Sequence, residues 1–344
     1  MRYWQITIGL VALVAGGVII LDSCSKPSEK HNIPIAFTVP QGFPQTVHNF
    51  QTNPVTQEGF VLGRKLFYDT RLSLDNSVSC ESCHQVVASF TTFQHDRSHG
   101  YNHSHTLRNA PALLNLAWYP VFNQDGSARS LEEVYIRHIT STTDMSEVFP
   151  HVIDKIKHDP EYQRLFNAAY GKNEISAYAI CDALSQFVLS LTANNAKYDQ
   201  VARGEAAFTA DEQSGYLVFK DKCANCHKEP LFTDFSFRNT GLEVDNSLKD
   251  FGRMRVTGKS EDSLKFRVPA LRNLEITAYY GHDGRMSLPR HMIQHYRTGV
   301  IPGATVDPLV ANGITLTNAQ ETQLVAFLRT LTDSTVLKDP RYRE

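Results

Sequence analysis

Two stretches of the sequence decide the fold: Cys80-Glu81-Ser82-Cys83-His84 and Cys223-Ala224-Asn225-Cys226-His227. Both have the pattern Cys-x-x-Cys-His, in which two thiols lie about one helical turn apart and an imidazole follows directly. This spacing suits two thioether bonds to the vinyl groups of one haem, with the histidine as a ligand of the iron. The sequence therefore predicts two covalently attached c-type haems, with His84 and His227 as axial ligands.

Other uses of the paired cysteines fit less well. A structural zinc site usually has its two pairs about 15–20 residues apart, whereas these motifs begin 143 residues apart (223 − 80). A thioredoxin-like motif requires a βαβ context that the sequence does not indicate. A disulfide between cysteines this close would be strained and would not need a histidine each time. Cys181, in an apolar helical stretch, is predicted to be a buried, inert thiol.

The first 24 residues are predicted to be a secretion signal. Arg2 is followed by an apolar run from Ile6 to Leu21, and Cys24 comes directly after Ser23. This arrangement resembles a bacterial lipobox, so we expect Cys24 to carry a lipid that anchors a periplasmic lipoprotein. An uncleaved N-terminal anchor is the alternative, and both alternatives place the protein outside the cytoplasm.

The rest of the chain is predicted to be all-α, with two cytochrome c-like domains that each carry one covalently bound haem. Residues 25–50 contain four prolines and are predicted to be a linker or extended arm. The N-terminal domain is predicted to span residues 51–200 and the C-terminal domain residues 201–344. A formal net charge of −2 gives no reason to expect a nucleic acid or an anionic membrane surface as a partner.

Local patterns support the helical prediction. Apolar residues recur at helical spacing between Ile180 and Leu191. Thr317–Gln320 and Ser130–Glu133 are typical of capping boxes at helix N-termini. A weak repeat precedes the two motifs: Gly63 with Phe67, and Gly215 with Phe219.

Several further blocks accompany the two motifs: Leu107-Arg108-Asn109-Ala110-Pro111, Lys197-Tyr198-Asp199, Arg203-Gly204-Glu205, Phe266-Arg267-Val268-Pro269-Ala270-Leu271-Arg272-Asn273, His282-Asp283-Gly284, and His295-Tyr296 with Gly299. With these blocks the chain, from about residue 55 to 335, resembles the bacterial dihaem cytochrome c peroxidases and their MauG-type relatives. The resemblance implies that peroxide reacts at the N-terminal haem and that the C-terminal haem relays electrons. It also implies a calcium ion between the domains, held by Asn109, Thr277 and the backbone of Tyr279, whose oxygens are suitable ligands.

The resemblance also implies a second ligand for the relay haem. In the peroxidases this ligand is a methionine; the matching position here is Tyr296, as in MauG-type proteins. A phenolate would stabilise ferric iron and lower the reduction potential relative to methionine. The alternative is that Tyr296 is a buried aromatic residue and that Met286 or Met292 binds the iron.

The N-terminal site departs from the family pattern. Gln124 stands where the family has a tryptophan between the haems, and Val134 replaces its distal glutamine. Asp144 matches the distal glutamate, and His138 matches a nearby proline. Breaking a peroxide bond requires a base that moves a proton between the two oxygens. Asp144 and His138 are therefore the candidate catalytic groups, with Gln124 as a third candidate, although His138 would also suit a helix surface.

A histidine-rich loop provides another candidate ligand. Many peroxidases of the family hold a displaceable distal histidine at the position of Tyr101. Four histidines surround that position: His95, His99, His103 and His105. One of them, His99 first, is predicted to bind the N-terminal iron, whereas a solvated loop or an adventitious metal patch are the alternatives.

Three functions therefore remain open at this stage. The first is peroxide reduction, with electrons from a small cytochrome or cupredoxin. The second is a MauG-type oxidase that acts on a protein or peptide. The third is an electron carrier whose two haems both have two axial ligands. The expected cofactors are two haem c and calcium, and a homodimer is a further expectation.

Overall fold

The computed structural model describes residues 34–171 and 175–344. The predicted secretion signal, Cys24 and residues 25–33 of the predicted arm lie outside the described residues. Within the described ranges the fold is rich in helices, as predicted, and the single named sheet is a pair of two-residue antiparallel strands. These strands are β1 (Phe237–Arg238) and β2 (Phe266–Arg267).

The α-helices of the described ranges are, in chain order, α1 (Gln57–Tyr68), α2 (Cys80–Cys83), α3 (Leu131–Thr140), α4 (Phe149–Ile156), α5 (Pro160–Tyr170), α6 (Ala177–Leu189), α7 (Lys197–Ala202), α8 (Ala210–Lys222), α9 (Met254–Thr257), α10 (Pro289–Gln294), α11 (Asn318–Arg329) and α12 (Ser334–Lys338). A π-helical segment, His295–Gly299, follows α10 directly. Long irregular connections join many of the helices, so loops supply much of the candidate site.

Helices α1 and α6 form the N-terminal helix pair, which packs at very close range. A Cβ atom added at Gly63 would lie 1.9 Å from the carbonyl oxygen of Ala183. The side chains beside this contact are fully buried, and the rings of Phe67 and Phe187 lie 5.0 Å apart between centroids. Glycine at position 63 therefore allows the two helices to approach each other, because any side chain there would meet backbone.

Helices α8 and α11 form the C-terminal helix pair, with the same arrangement. A Cβ atom added at Gly215 would lie 1.9 Å from the carbonyl oxygen of Gln323. The rings of Phe219 and Phe327 are fully buried, with centroids 5.1 Å apart. The weak sequence repeat of a glycine and a phenylalanine four residues later thus corresponds to a repeated helix–helix contact.

The buried apolar side chains form two clusters. The first surrounds α1 and α3 to α6, and the second surrounds α8, α10 and α11. Val336 and Tyr342 belong to the first cluster, although they follow the second cluster in sequence. The Tyr68 hydroxyl donates to the Tyr342 carbonyl at 2.6 Å, and the Tyr342 hydroxyl donates to the Ser190 carbonyl at 3.0 Å. The division at residue 200 stays a prediction.

Both predicted helix starts occur. Thr317 caps α11 in a complete capping box with Gln320. Ser130 caps α3 by accepting a hydrogen bond from the backbone amide of Glu133. The Glu133 carboxylate accepts from the Arg129 backbone amide, so the capping box is not complete.

Cys181 is buried in α6, as expected. A search of residues 34–171 and 175–344 finds no helix with the length and apolar character needed to cross a membrane.

Candidate active site

The first Cys-x-x-Cys-His motif forms a short, capped helical turn. Ser79 and Ser82 cap helix α2 reciprocally, which fixes the turn that carries both thiols. The Nδ1 atom of His84 donates to the backbone carbonyl of Phe90 at 2.9 Å. Burial lowers the pKa of His84 to about 4, so the ring is neutral near pH 7. A neutral imidazole whose Nδ1 is held in this way keeps Nε2 available for a metal.

A cavity of about 520 Å³ opens beside this turn, and Cys80, Cys83 and His84 line it. The volume lies within the range of pockets that hold organic cofactors. Arg267 also lines the cavity, and its Nη1 donates to the Val121 carbonyl at 2.8 Å. Its Nε is buried and has no hydrogen-bond partner among residues 34–171 and 175–344. An unpaired guanidinium nitrogen beside two thiols and an imidazole fits a haem with acidic propionates. Sequence reasoning did not single out Arg267, whose signal was only its place in a family block.

The two candidate catalytic groups meet at this cavity. The Nδ1 atom of His138 lies 2.6 Å from Oδ2 of Asp144, and both residues line the cavity. The Thr143 hydroxyl donates to Oδ1 of Asp144 at 2.9 Å. Burial would raise the pKa of Asp144, but the hydrogen bonds from His138 and its neighbours outweigh it and hold that pKa below its usual value. The arrangement presents a carboxylate that orients an imidazole beside the candidate haem cavity.

Gln124 has a structural contact that the sequence did not indicate. Its Nε2 donates to the backbone carbonyl of Asn109 at 2.7 Å, and its backbone carbonyl accepts from the Arg267 amide at 2.7 Å. Gln124 and Val134 both line the cavity. Gln124 therefore joins the Asn109 loop to the β2 strand, which gives it a positioning role at the cavity wall.

Arg108 lines the same cavity with its charge fully paired. Its Nε and Nη2 atoms form a two-pronged contact with Asp250 at 2.6 and 2.8 Å, and its Nη1 lies 2.7 Å from Asp125. Hydrogen bonds of this kind combine charge with fixed geometry. The contact joins residues 142 positions apart in the chain, so it fixes the cavity wall to the segment before β2.

The second motif follows the C-terminus of α8. The Nδ1 atom of His227 donates to the carbonyls of Phe232 and Pro269, both at 3.1 Å. Burial lowers the pKa of His227, so its ring is also held in the neutral form. Phe90 and Phe232, which supply the accepting carbonyls in the two motifs, both have left-handed backbone conformations, with φ of 60° and 57°. Such a conformation is rare for a bulky residue and occurs at functional sites.

Tyr296 lies close to the second motif, within the π-helical segment. Burial raises the pKa of its hydroxyl, and the nearby thiols of Cys223 and Cys226 raise it further. Among the described residues the hydroxyl has no hydrogen-bond partner, while the Tyr296 carbonyl accepts from Ile314 at 2.8 Å. A π-helical turn often marks a functional site. Tyr296 as an axial ligand stays a prediction, as does the alternative of Met286 or Met292.

The predicted calcium ligands are only partly brought together. The Asn109 side chain donates to the Asp96 carbonyl at 2.8 Å, and the Tyr279 hydroxyl donates to the Gln94 carbonyl at 3.2 Å. Both residues therefore contact the loop at 94–96. The Thr277 hydroxyl instead donates to its own turn, at the Leu274 carbonyl. The calcium site stays a prediction.

His99 lies away from the cavity. Its side chain is exposed, does not line the cavity, and contacts the rings of His95 and His105 at 4.8 and 4.4 Å between centroids. The expectation of His99 as an iron ligand thus has no support in this geometry. The physical reason is an isolated antiparallel bridge between His99 and His105, which directs both rings to the surface.

Comparisons with known proteins agree with the helix-rich fold. The family model of the di-haem cytochrome c peroxidases matches residues 57–207. The chain is 34% identical to methylamine utilization protein MauG of Methylorubrum extorquens over 297 residues, which cover 84% of this chain and 82% of that protein. It is 30% identical to the cytochrome c551 peroxidase of Nitrosomonas europaea over 275 residues, which cover 79% of each.

A solved structure of a MauG-like protein associated with microbial copper homeostasis has a TM-score of 0.83 and 29% identity, and covers 90% of this chain and 99% of that one. The helical fold and the two motifs define an oxidoreductase of the c-type cytochrome class. Within that class, the chain belongs to the di-haem cytochrome c peroxidase family, which includes MauG. The prediction of this family from the sequence is confirmed.

Proposed function

We propose that this oxidoreductase binds two haem c groups, one at each motif, and reduces hydrogen peroxide with electrons from a small redox protein. The observation that carries the proposal is the hydrogen bond between His138 and Asp144 at the cavity of Cys80, Cys83 and His84. Peroxidase relatives such as the cytochrome c551 peroxidase support the same reaction. The overall reaction consumes one peroxide, two electrons and two protons and yields two waters.

The bound haem would supply a redox-active iron at which the peroxide bond is cleaved. The chain itself handles the protons. Because Nδ1 of His138 is hydrogen-bonded to Asp144, Nε2 of the ring is free to accept a proton from one peroxide oxygen. The Asp144 carboxylate would stabilise the positive ring and fix its orientation. The same Nε2 would then return the proton to the departing oxygen, so that it leaves as water.

Two of the arginines that line the cavity differ in their pairing. Arg108 is neutralised by Asp125 and Asp250, whereas among the described residues Nε of Arg267 has no hydrogen-bond partner. We infer that Arg267 receives a haem propionate and thereby orients the group. Burial lowers the pKa of Arg267, because water cannot solvate its charge there. A bound carboxylate would compensate for that burial.

The second motif would hold the relay haem, with His227 on one side and Tyr296 on the other. A tyrosine ligand would lower the reduction potential of this haem relative to a methionine ligand.

We also propose calcium at Asn109, Thr277 and Tyr279, a periplasmic location and a lipid on Cys24. The two-domain division and a homodimer belong to the same proposal.

A second candidate function is a MauG-type oxidase that acts on a protein or peptide. The observation that favours it is Tyr296, which lies near Cys223 and Cys226 at the position where MauG-type proteins have tyrosine. The identity of 34% to a MauG protein supports it as well. Gln124 argues against it, because an amide cannot share charge between haems as a tryptophan ring can.

Peroxide turnover by the haem-loaded, calcium-saturated protein tests the main proposal. With a reduced small cytochrome as donor, we expect two donor molecules to be oxidised for each peroxide consumed. Turnover no faster than that of free haem would contradict it.

If peroxide instead oxidises tyrosine or tryptophan side chains of an added protein, as detected by mass spectrometry, the second candidate is supported. A resting-state EPR spectrum with two low-spin ferric irons, unchanged by calcium, would indicate an electron carrier.

A further inference from the structure

The loop at residues 93–106, here called the histidine loop, holds a cluster that the proposed reaction does not use. An isolated antiparallel bridge pairs His99 with His105, so that their side chains leave the backbone as cross-strand neighbours. Their ring centroids lie 4.4 Å apart, and the ring of His95 lies 4.8 Å from that of His99. All three side chains are exposed and accessible to a solute ion.

The donor atoms of these rings are available. Within the described residues, the imidazoles of His95, His99 and His105 make no hydrogen bond and no ion pair, and their ring contacts are with one another. In their neutral form they offer the nitrogen donors that divalent copper, nickel and zinc prefer.

We propose that His99 and His105 form a two-imidazole clamp for a divalent transition-metal ion, with His95 as a third ligand after a side-chain rotation. Across the described ranges, no three histidine, cysteine or acidic side chains are already gathered as a metal-binding set. The clamp is therefore a site of two preformed ligands completed by His95 and water. Cu²⁺ is the ion that such nitrogen sites bind most tightly among the common divalent metals.

The clamp lies on a loop that is fixed at both sides. On one side the Tyr101 amide donates to the Asp144 carbonyl at 2.7 Å, and the Ser104 hydroxyl donates to the Thr143 carbonyl at 2.7 Å. On the other side the Gln94 carbonyl accepts from the Tyr279 hydroxyl at 3.2 Å. A metal that joins His99 to His105 would close the turn that contains Tyr101 and Ser104, and would stiffen the backbone beside the candidate acid–base pair.

Copper titration of the haem-loaded protein tests the clamp directly. Isothermal titration calorimetry would measure Cu²⁺ binding in calcium-saturated buffer to the wild type, His99→Ala and His105→Ala. His158→Ala is the matched control, because His158 is an exposed histidine outside the loop. We expect one site in the wild type, a loss of affinity of about tenfold or more in each loop variant, and no change in the control.

Hydrogen exchange gives a second readout that does not depend on peroxide turnover. We expect Cu²⁺ to slow exchange of the Tyr101 amide in the wild type but not in His99→Ala. Equal Cu²⁺ affinity in the wild type and both loop variants would overturn the proposal, and so would no binding by the wild type at about millimolar Cu²⁺. Neither calorimetry nor hydrogen exchange depends on peroxide turnover. Failure of the peroxidase proposal would therefore leave both results unchanged.

Discussion

The two Cys-x-x-Cys-His motifs share a scaffold but differ in what faces them. Each follows a helix whose glycine contacts the backbone of a second helix, and in each the histidine donates through Nδ1 to the carbonyl of a phenylalanine in a left-handed conformation. The first motif faces a cavity that His138 and Asp144 line. The second lies near the buried Tyr296 side chain. The two sites therefore differ in the groups outside the motif, and the proposed division between peroxide chemistry and electron relay depends on those groups.

The largest expected effect comes from removing either pair of thiols. The double variant Cys80→Ala with Cys83→Ala should lose one haem and all peroxide turnover, because thioether bonds hold the group at the cavity. Cys223→Ala with Cys226→Ala should also lose one haem but keep the peroxide-binding site. Intact mass spectrometry counts the haems, and Cys181→Ala is the control that should retain both. Two covalent haems in either double variant would contradict the assignment of one haem to each motif.

Asp144→Asn should have the next largest effect, at the first motif only. The amide cannot stabilise a positive His138 ring, so kcat for peroxide should fall by about 10²-fold or more. Asp154→Asn is the matched control, since Asp154 is an exposed carboxylate paired with Lys157. Steady-state kinetics measure the change. Unaltered kcat in Asp144→Asn, with both haems present, would exclude the pair from proton transfer.

The repeated helix contact predicts similar losses of stability in both halves. In Gly63→Ala and Gly215→Ala the new Cβ would meet a carbonyl oxygen, and we expect the free energy of unfolding to fall by about 1–3 kcal/mol in each. Gly303→Ala is the control, because its Cβ would meet only a methyl group at 3.5 Å. Denaturant titration measures all three. A large loss in one half and none in the other would show that the two contacts are not equivalent.

The smallest expected effect is a pH dependence of stability. Burial would raise the pKa of Asp69, but hydrogen bonds from Arg71 and Tyr162 outweigh it and lower the pKa. A lowered carboxyl pKa contributes stability above the ordinary value near 3.8, and this is lost as pH falls through the lowered value. Asp69→Asn should therefore destabilise the protein at pH 7, and the effect should shrink as the pH falls below 3.8 and through the lowered pKa. Asp234→Asn, beside the second motif, should behave alike, because hydrogen bonds from Ser236 and Arg238 lower that pKa too.

Asp69→Asn and Asp234→Asn are compared by thermal unfolding at several pH values. Asp245→Asn, on an exposed turn, is a control for loss of a carboxylate that has only local contacts. A destabilisation by Asp69→Asn that persists unchanged at pH 2 would contradict a role for the ionised carboxylate.

Local sequence patterns predicted much of this molecule. The two motifs, the Gly63–Phe67 and Gly215–Phe219 repeat and the Thr317 capping box depend on contacts within a few turns, or on a pattern that occurs twice. The structure contains the capped turn of the first motif, the two close helix contacts and the capping box that these patterns predict. The pairing of His138 with Asp144 could also be predicted from the sequence, because only the end of α3 and a short turn separate the two residues.

Other features depend on distant parts of the chain and left no local signal. The environment of Arg267 could not be predicted locally, because β2 packs beside Val121, 146 residues away in the chain. The lack of a partner for its Nε depends on that packing. The exposure of His99 follows from its bridge to His105, and a run of loop residues does not predict such a bridge. The π-helical turn at Tyr296 is another case, since hydrogen bonding rather than residue type distinguishes it from an α-helix.

The return of Tyr342 to the first apolar cluster has a consequence for the order of folding. The Tyr68 hydroxyl reaches the Tyr342 carbonyl across 274 residues, so helix α1 must wait for nearly the entire chain before its packing is complete. Contacts this distant in sequence slow folding, because a long loop must close first. We expect the N-terminal half to remain partly open during synthesis and export, which would leave Cys80 and Cys83 accessible to the enzymes that attach haem.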